Sequence, residues 1–328
     1  MPAADGSTDS GDYLNSARRE VILAAGERIF NDDFVSAHYL ADSLILGYPE
    51  DPIGHLFKAA AYLGEMTFAE EDLHNDRFHD LIDTVRVLAE RRIKTSPPGV
   101  AAWMQLCLGH AAAYESLWES RFGSLVSAIK QGFKARSAYE KGLQYDSTLY
   151  DLYGGLGMYH YWKSTKAGLL RWLGIFKNDR AKGIRELRLT IDSSRISQET
   201  ARNALIWIWL DKKEYDSAVV VSREMYERFP EGTLFLWPLA TALFEQENFQ
   251  QAAETYRLLE ERLRSQPGNY YNLVECHHQL YRCLDKLRRN EEARAIARGM
   301  LEYYDEIPKS TKRRQRSKIA FLKREAYR

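Results

Sequence analysis

Two stretches in the last third of the chain decide the fold: EYDSAVVVSREMYERFP, residues 214–230, and NFQQAAETYRLLEE, residues 248–261. They align at an offset of 34 residues, which pairs Tyr215 with Phe249 and Ala218 with Ala252. A period of 34 residues is typical of arrays of helix–turn–helix units. In such arrays a small residue lets the two helices of a unit approach closely, while large residues fill the groove left by the next unit. The sequence therefore predicts an all-α repeat array.

The repeat resembles the tetratricopeptide family. In the first repeat unit, which ends with the first stretch, the matching positions are Leu205, Tyr215, Ala218 and Pro230; in the second unit they are Leu239, Ala240, Phe249, Ala252 and Tyr256. Weaker copies along the chain contain Phe34, Ala37, Ala41, Pro49, Ala59, Tyr62, Ala135, Tyr139, Leu156, Gly157, Gly183, Leu187, Leu280 and Ala293. The resemblance implies one right-handed α-solenoid, a superhelix of about seven helix pairs of unequal length over residues 13–306.

The stretch YGGLGMYHYW, residues 153–162, contains three glycines in four positions and could be a phosphate-binding loop or a packed helix. Its spacing matches neither GxGxxG nor GxxxxGK[ST], and no strand-like run precedes it. Gly157 follows Leu156, where a tetratricopeptide helix has its Leu-Gly pair. We therefore predict that these glycines allow close helix packing.

An insertion over residues 162–178, with the apolar and basic run LLRWLGIFK, interrupts the array. The glycine-rich helix, this run and NDRAKG together are similar to the inclusion-body-clearance and tetratricopeptide-repeat-39 family and its uncharacterised bacterial relatives. That resemblance covers residues 147–304 and implies an interaction protein without known catalytic residues, linked in eukaryotes to lipid droplets and aggregate clearance. The chain is shorter than that pattern and lacks its prolines. The run could lie in a membrane interface, but we expect Trp172 and Phe176 to pack on neighbouring helices.

The two ends of the chain differ in composition and charge. Residues 1–12 are expected to be a disordered leader without the apolar core of a signal peptide. The tail, residues 307–328, carries nine Lys or Arg against Glu325, whereas the first hundred residues carry eighteen acids against nine bases. We predict that the tail is a basic capping helix whose apolar face, formed by Ile319, Ala320, Leu322 and Tyr327, covers the last helix pair.

Composition excludes several classes of protein. The formal net charge is zero, which argues against a general nucleic-acid binder. Cys107, Cys276 and Cys283 have no CxxC spacing, so we predict buried core cysteines rather than a disulfide framework or zinc site. The longest apolar run is shorter than the about 18 residues of a membrane span. The sequence predicts a soluble protein without stable membrane insertion, cytoplasmic by default and periplasmic or exported if a signal has been removed.

The residues that could form a catalytic or metal site make no complete signature. His79 and Asp83 are four residues apart, a spacing that can ligate metal, but no HExxH and no third histidine accompany them. Cys276, His277 and His278 are adjacent, and adjacent helical residues cannot converge on one ion. GxSxG is absent from the sequence. We predict a non-enzyme with no metal and no cofactor.

The first helix of each pair should line the concave face of the solenoid. Projecting the helical register onto that face predicts a ligand-binding set formed by Met158, Tyr161, Trp162, Asn203, Trp207, Trp237, Thr241, Phe244, His278 and Arg282. Such an aromatic groove suits a peptide or partner protein. Two alternatives stay open for the groove: it and the 162–178 insertion enclose an apolar small molecule or lipid, or the aromatic side chains pack under the insertion. An enzyme of an unrecognised class is the least favoured alternative function. We predict a non-catalytic interaction scaffold.

Overall fold

The computed structural model describes residues 13–166, 178–266 and 268–328, and over these residues it contains 16 α-helices, a short 3-10 helix at Tyr304–Glu306 and no strand. The all-α class predicted from the sequence is confirmed. The helices are α1 (Ser16–Phe30), α2 (Phe34–Gly47), α3 (Pro52–Ala69), α4 (Asn75–Ile93), α5 (Pro98–Arg121), α6 (Leu125–Tyr145), α7 (Asp151–Lys166), α8 (Arg180–Ser193), α9 (Gln198–Asp211), α10 (Tyr215–Arg228), α11 (Leu236–Glu245), α12 (Phe249–Arg264), α13 (Tyr270–Lys286), α14 (Asn290–Glu302), α15 (Lys309–Arg314) and α16 (Arg316–Ala326).

The chain forms two compact units, some of whose boundaries fall within helices α1, α3 and α9. Unit 1 contains the described residues of Met1–Gly26, Val35–Ala61 and Asp76–Ala201, and unit 2 contains Glu27–Phe34, Tyr62–Asn75 and the described residues of Arg202–Arg328. Neighbouring helices pack on each other within each unit: α5 on α6 and α7 on α8 in unit 1, and α11 on α12 and α13 on α14 in unit 2. Helices that follow each other in the sequence therefore pack against each other within each unit.

One turn geometry recurs between helices. Asp32, Lys213, Glu247 and Arg288 have left-handed backbones with φ of 58°, 59°, 61° and 59°, and each lies two residues before a helix begins. In all four turns the N–H of the next residue donates to the carbonyl five residues earlier at 2.9 Å. This is the Schellman arrangement, which satisfies carbonyls that the end of a helix would otherwise leave unpaired. Tyr215 and Phe249, aligned from the sequence, therefore begin helices after the same turn.

A small buried residue occupies the fourth position of the helix after each of these turns. These residues are Ala37, Ala218, Ala252 and Ala293, all at most 1% exposed. Ala128 in α6 and Gly183 in α8 occupy the same position, and both are buried. Ala218 and Ala252 are thus buried, as the packing role predicted for them requires.

The three glycines of YGGLG lie inside α7 and face other helices. A Cβ on Gly155 would lie 2.2 Å from the ring of Tyr139, and one on Gly157 would lie 2.8 Å from the carbonyl oxygen of Gly183. Tyr139 is 1% exposed, and its hydroxyl lies 2.7 Å from His110 Nδ1. The prediction of helix packing at these glycines is confirmed, because their missing side chains leave room for α6 and α8.

The core of unit 2 is continuous with the C-terminal helices. Ile319 and Leu322 of α16 are buried in one apolar cluster with residues of α11 to α14. The tail does cover this cluster, but it consists of α15 and α16 rather than one helix. The predicted apolar face is wrong at two positions, because Ala320 is exposed and Tyr327 is 82% exposed. Ala326 is buried instead, because it lies four residues after Leu322 on the same helical face.

Unit 2 also includes two short segments from early in the chain. Asp32 accepts hydrogen bonds from the backbone N–H and the hydroxyl of Thr233 at 2.7 and 2.8 Å. The amide of Asn269 donates to the carbonyl of Phe68 at 2.9 Å, and Arg314 forms an ion pair with Glu70 at 2.6 Å. These contacts join residues that are about 200 or more positions apart in the sequence.

Several predictions concern residues outside the described parts of the chain. The leader, residues 1–12, and Trp172 and Phe176 within the insertion lie there. At the start of the insertion, α7 continues to Lys166, so the helix is longer than the sequence indicated. None of the helices in the described residues has both the length and the apolar character needed to cross a bilayer. The three cysteines are free and buried, as predicted.

Candidate functional site

The ten predicted ligand-binding residues fall in both units. Met158, Tyr161 and Trp162 lie on α7 in unit 1, and the other seven lie in unit 2. The prediction is wrong for Tyr161, which has no exposed surface. Gly157 and Gly183 bring α7 and α8 so close that Tyr161, one turn later, lies in their interface, where the Arg180 guanidinium is 5.8 Å from its ring. Met158 and Trp162 are half-buried.

In unit 2, α9 contributes Asn203 and Trp207, one turn apart. Trp207 is 41% exposed, an unusual exposure for so large an apolar side chain. The side-chain oxygen of Asn203 is buried and has no hydrogen-bond partner. An unpaired buried amide is destabilising, and a ligand group that pairs with it would remove that penalty.

Helix α11 positions Trp237, Thr241 and Phe244 on one face, at spacings of four and three residues. Trp237 packs edge-on against Tyr256 of α12, with ring centroids 6.3 Å apart. The Thr241 hydroxyl donates to the carbonyl of Trp237 at 2.8 Å. All three side chains are half-buried, so each combines a packing role with a free surface.

The structure brings Phe244, Arg282 and His278 together. The Arg282 guanidinium lies 4.4 Å from the centre of the Phe244 ring, which links α13 to α11. One turn earlier on α13, His278 packs edge-on against Phe321 of α16 at 5.2 Å. Arg282 also donates to Gln279 at 2.7 Å. The predicted residues Phe244, His278 and Arg282 thus form one continuous surface with Phe321, which the sequence prediction did not include.

A cavity of about 280 Å³ opens on this surface. Its lining side chains are two aromatic rings, two cations, an imidazole and a carboxylate: Tyr281, Phe321, Arg282, Lys286, His278 and Asp285. Two cations against Asp285 leave an excess of one positive charge. The volume suits one side chain of a bound segment rather than a whole small molecule.

His278 is neutral at pH 7. Burial lowers its pKa below the ordinary 6.5; the Glu275 carboxylate opposes this shift in part, and the cations of Lys318 and Arg282 lower the pKa further. Its Nδ1 is buried and has no hydrogen-bond partner. Burial raises the pKa of Glu275, but hydrogen bonds from Lys318 and Gln279 outweigh burial and lower it, so Glu275 is ionised. The imidazole is therefore a neutral polar group between rings and cations.

This surface can hold an acidic side chain beside an apolar one. Arg282 and Lys286 supply the positive charge, while Phe244, Phe321 and Tyr281 supply apolar area. Rings that are already packed lose little conformational entropy on binding, and a guanidinium pairs with a carboxylate through two parallel hydrogen bonds. Sequence reasoning missed Phe321 because it assigned the tail only a covering role. Phe321 lies about 100° from Leu322 and about 200° from Ile319 around the helix, so the face predicted from those two residues did not include it.

Two other histidines are structural. His277 has no exposed surface; its Nε2 lies 2.8 Å from Glu260 and its Nδ1 lies 3.2 Å from the Tyr303 hydroxyl. His160 Nδ1 lies 2.6 Å from Glu186, which joins α7 to α8. Both networks occupy helix interfaces, where polar groups must be paired.

The acid and histidine cluster near residue 79 forms ion pairs. Arg86 contacts both Asp83 and Glu115, and His79 packs edge-on against Trp118 with ring centroids 4.6 Å apart. Within residues 13–166, 178–266 and 268–328, no three His, Cys, Asp or Glu side chains are arranged to hold a metal ion.

Comparison with known proteins supplies no family assignment: a scan against protein-family models and a search of curated proteins both find no match for this sequence.

Proposed function

We propose that this chain is a tetratricopeptide-like repeat protein that binds a peptide segment of a partner protein through the surface of α11, α13 and α16. The recurrent turn and the small residue four positions into each following helix support the repeat assignment. On this proposal the seven helix pairs form a right-handed superhelix, and the C-terminal helices act as its cap. The protein is a scaffold without catalytic activity.

The cavity between Arg282 and Phe321 is the observation that carries the binding proposal. It combines an excess positive charge, a neutral imidazole with an unpaired nitrogen, and apolar walls within about 280 Å³. A peptide with Asp or Glu next to an aromatic or aliphatic residue matches this combination. Trp207 and Asn203 are proposed to contact a further part of the same peptide.

A peptide selection tests this function directly. Random peptides displayed on phage are selected on the purified full chain, and the selected sequences are measured by fluorescence anisotropy. We expect enrichment of acidic residues beside apolar ones. The variant Arg282→Gln should weaken binding about tenfold, since a hydrogen bond to a charged group contributes about 1.5 to 3 kcal/mol.

Two controls make the test specific. Arg298→Gln removes the same charge from an exposed position on α14, outside the cavity lining, and should leave binding unchanged. Tyr327→Ala removes a ring that is 82% exposed and is the control for Trp207→Ala. Selected peptides that bind Arg282→Gln and Trp207→Ala as tightly as the original protein would contradict the proposal. Native mass spectrometry of the same preparation tests the alternative of an enclosed apolar ligand.

A further inference from the structure

Unit 1 contains a second cavity, of about 540 Å³, that differs in chemistry from the peptide surface. Arg18 of α1, Arg91 and Arg92 at the end of α4, and residues of the loop between α2 and α3 line it. The charged lining residues are three arginines against Glu50 and Asp51, which leaves an excess of one positive charge.

Asp51 is the centre of this arrangement. It is 3% exposed, and its carboxylate pairs with Arg18 at 2.7 Å and with Arg92. The same carboxylate accepts hydrogen bonds from the Tyr13 hydroxyl at 2.6 Å and from the N–H of Ile53 at 3.0 Å. One buried negative charge is therefore shared by two guanidinium groups, and one positive charge stays uncompensated. The Arg92 side chain is 29% exposed, so this positive charge is partly solvated and can attract an anion from solvent.

Arg18 still has hydrogen-bonding capacity at this place. Its side chain is 7% exposed, and its Nε–H is buried without an acceptor. Its guanidinium lies between the rings of Tyr13 and Tyr48, at 4.6 and 4.4 Å from their centres. Its Nη1 also donates to the Tyr13 carbonyl at 3.2 Å and its Nη2 pairs with Asp51, and these contacts together hold the guanidinium in place at the cavity wall.

One wall of the cavity is an aromatic ring, and its edge carries an exposed ion pair. Tyr48 is 40% exposed, so its ring presents surface to a ligand as well as to Arg18. Arg91 and its partner Glu50 are both exposed, with side chains 55% and 74% accessible. A pair at that exposure is weak, so Arg91 can exchange Glu50 for an incoming anion. The cavity volume is in the range of small-molecule sites and far exceeds that of a bare phosphate ion.

We propose that this cavity binds a small organic anion, with a phosphate or carboxylate group against Arg18, Arg91 and Arg92 and a flat ring against Tyr48. The excess positive charge selects the anion, and the exposed ring selects for a planar group. The ligand supplies the negative charge that Asp51 alone does not.

Ligand-observed NMR on the full chain tests the site with phenyl phosphate and benzoate as probes, and with inorganic phosphate as competitor. We expect at least one ring anion to bind with a dissociation constant of about 1 mM or below. A tenfold preference for phenyl phosphate assigns a phosphate ligand, and the reverse preference assigns a carboxylate. Arg91→Gln and Tyr48→Ala should each weaken the preferred probe about tenfold or more.

Both variants change exposed side chains and keep the buried Arg18 and Asp51, so they are expected to fold, which circular dichroism checks. Lys94→Gln is the matched control, because Lys94 is exposed and close in sequence to Arg92 but does not line the cavity. It should bind the probes like the original protein. The proposal is overturned if neither ring anion binds below about 10 mM, or if Arg91→Gln and Tyr48→Ala bind both probes as the original protein does.

Discussion

Replacing Gly155 by Ala should destabilise the protein, although alanine is the better helix former. Inside a helix the substitution alone would contribute about 1 kcal/mol of stability. Here the new Cβ would lie 2.2 Å from two ring atoms of Tyr139. The ring cannot move away, because on its other edge a Cβ on Gly109 would also lie 2.2 Å from it, and its hydroxyl is 2.7 Å from His110.

The size of the effect follows from these opposing terms. Forcing a methyl group into a packed core costs about 1 to 3 kcal/mol, and more where the neighbours cannot shift. With the ring of Tyr139 held on both sides, we expect the upper end of that range. After the gain in helix propensity is subtracted, the net loss is about 2 kcal/mol. For a chain of 328 residues, whose unfolding entropy is about 0.7 kcal/mol/K, that lowers the melting temperature by roughly 3 °C.

Gly132 provides the matched control in α6. The nearest atom to a Cβ at that position is Ser116 Oγ at 3.8 Å, so Gly132→Ala has room and should raise the melting temperature by about 1 to 2 °C. Differential scanning calorimetry measures both variants. The double variant Gly155→Ala with Tyr139→Leu should recover part of the loss relative to the sum of the single changes. A Gly155→Ala protein as stable as the original, or strictly additive effects, would refute the packing argument.

Three further predictions concern stability. Leu322→Ala should cost about 2 to 5 kcal/mol in thermal unfolding because Leu322 is fully buried in the unit 2 cluster, whereas Tyr327→Ala, which changes an exposed ring, should cost almost nothing. Burial lowers the pKa of His110 to about 4, so between pH 6.5 and 4 the unfolded chain binds more protons than the folded protein. The free energy of unfolding should therefore fall by about 1 kcal/mol on acidification from pH 7 to pH 5.5. Melting curves of the His110→Asn variant should lack that contribution. Lys213→Gly should raise the melting temperature because φ is 59° there, and the same change at Lys212, which lacks a left-handed backbone, should not.

The sequence predicted which residues pack between helices more accurately than it predicted which residues form the exposed surfaces. The roles of Gly157, Ala218 and Ala252 follow from local spacing, because a small residue at a fixed helical position has one structural use. The burial of Tyr161 could not be predicted from local spacing. A helical projection ranks residues by angle alone, whereas the depth of Tyr161 depends on how closely α8 approaches, which Gly183 sets from 22 residues away.

The charged networks could not be predicted for a different reason. Arg18, Asp51 and Arg92 are separated by 33 and 41 positions and show no spacing pattern. Their convergence depends on the packing of three helices, and single-sequence periodicity carries no information about it. The surface of Arg282 and His278 was predicted because both lie on one face of one helix, but its third wall, Phe321, comes from a different helix.

Unit 2 combines segments that are far apart in the chain, and this affects its folding during synthesis on the ribosome. Phe30 packs against Phe229 and Phe235, and Asp32 binds Thr233, 201 positions later. At translation rates of about 5 to 20 residues per second, the early segment waits roughly 10 to 40 s before its partners are made. During that interval Phe30 lacks its later aromatic neighbours. The nascent chain therefore has a stretch near its beginning that chaperones can recognise until the last third has emerged.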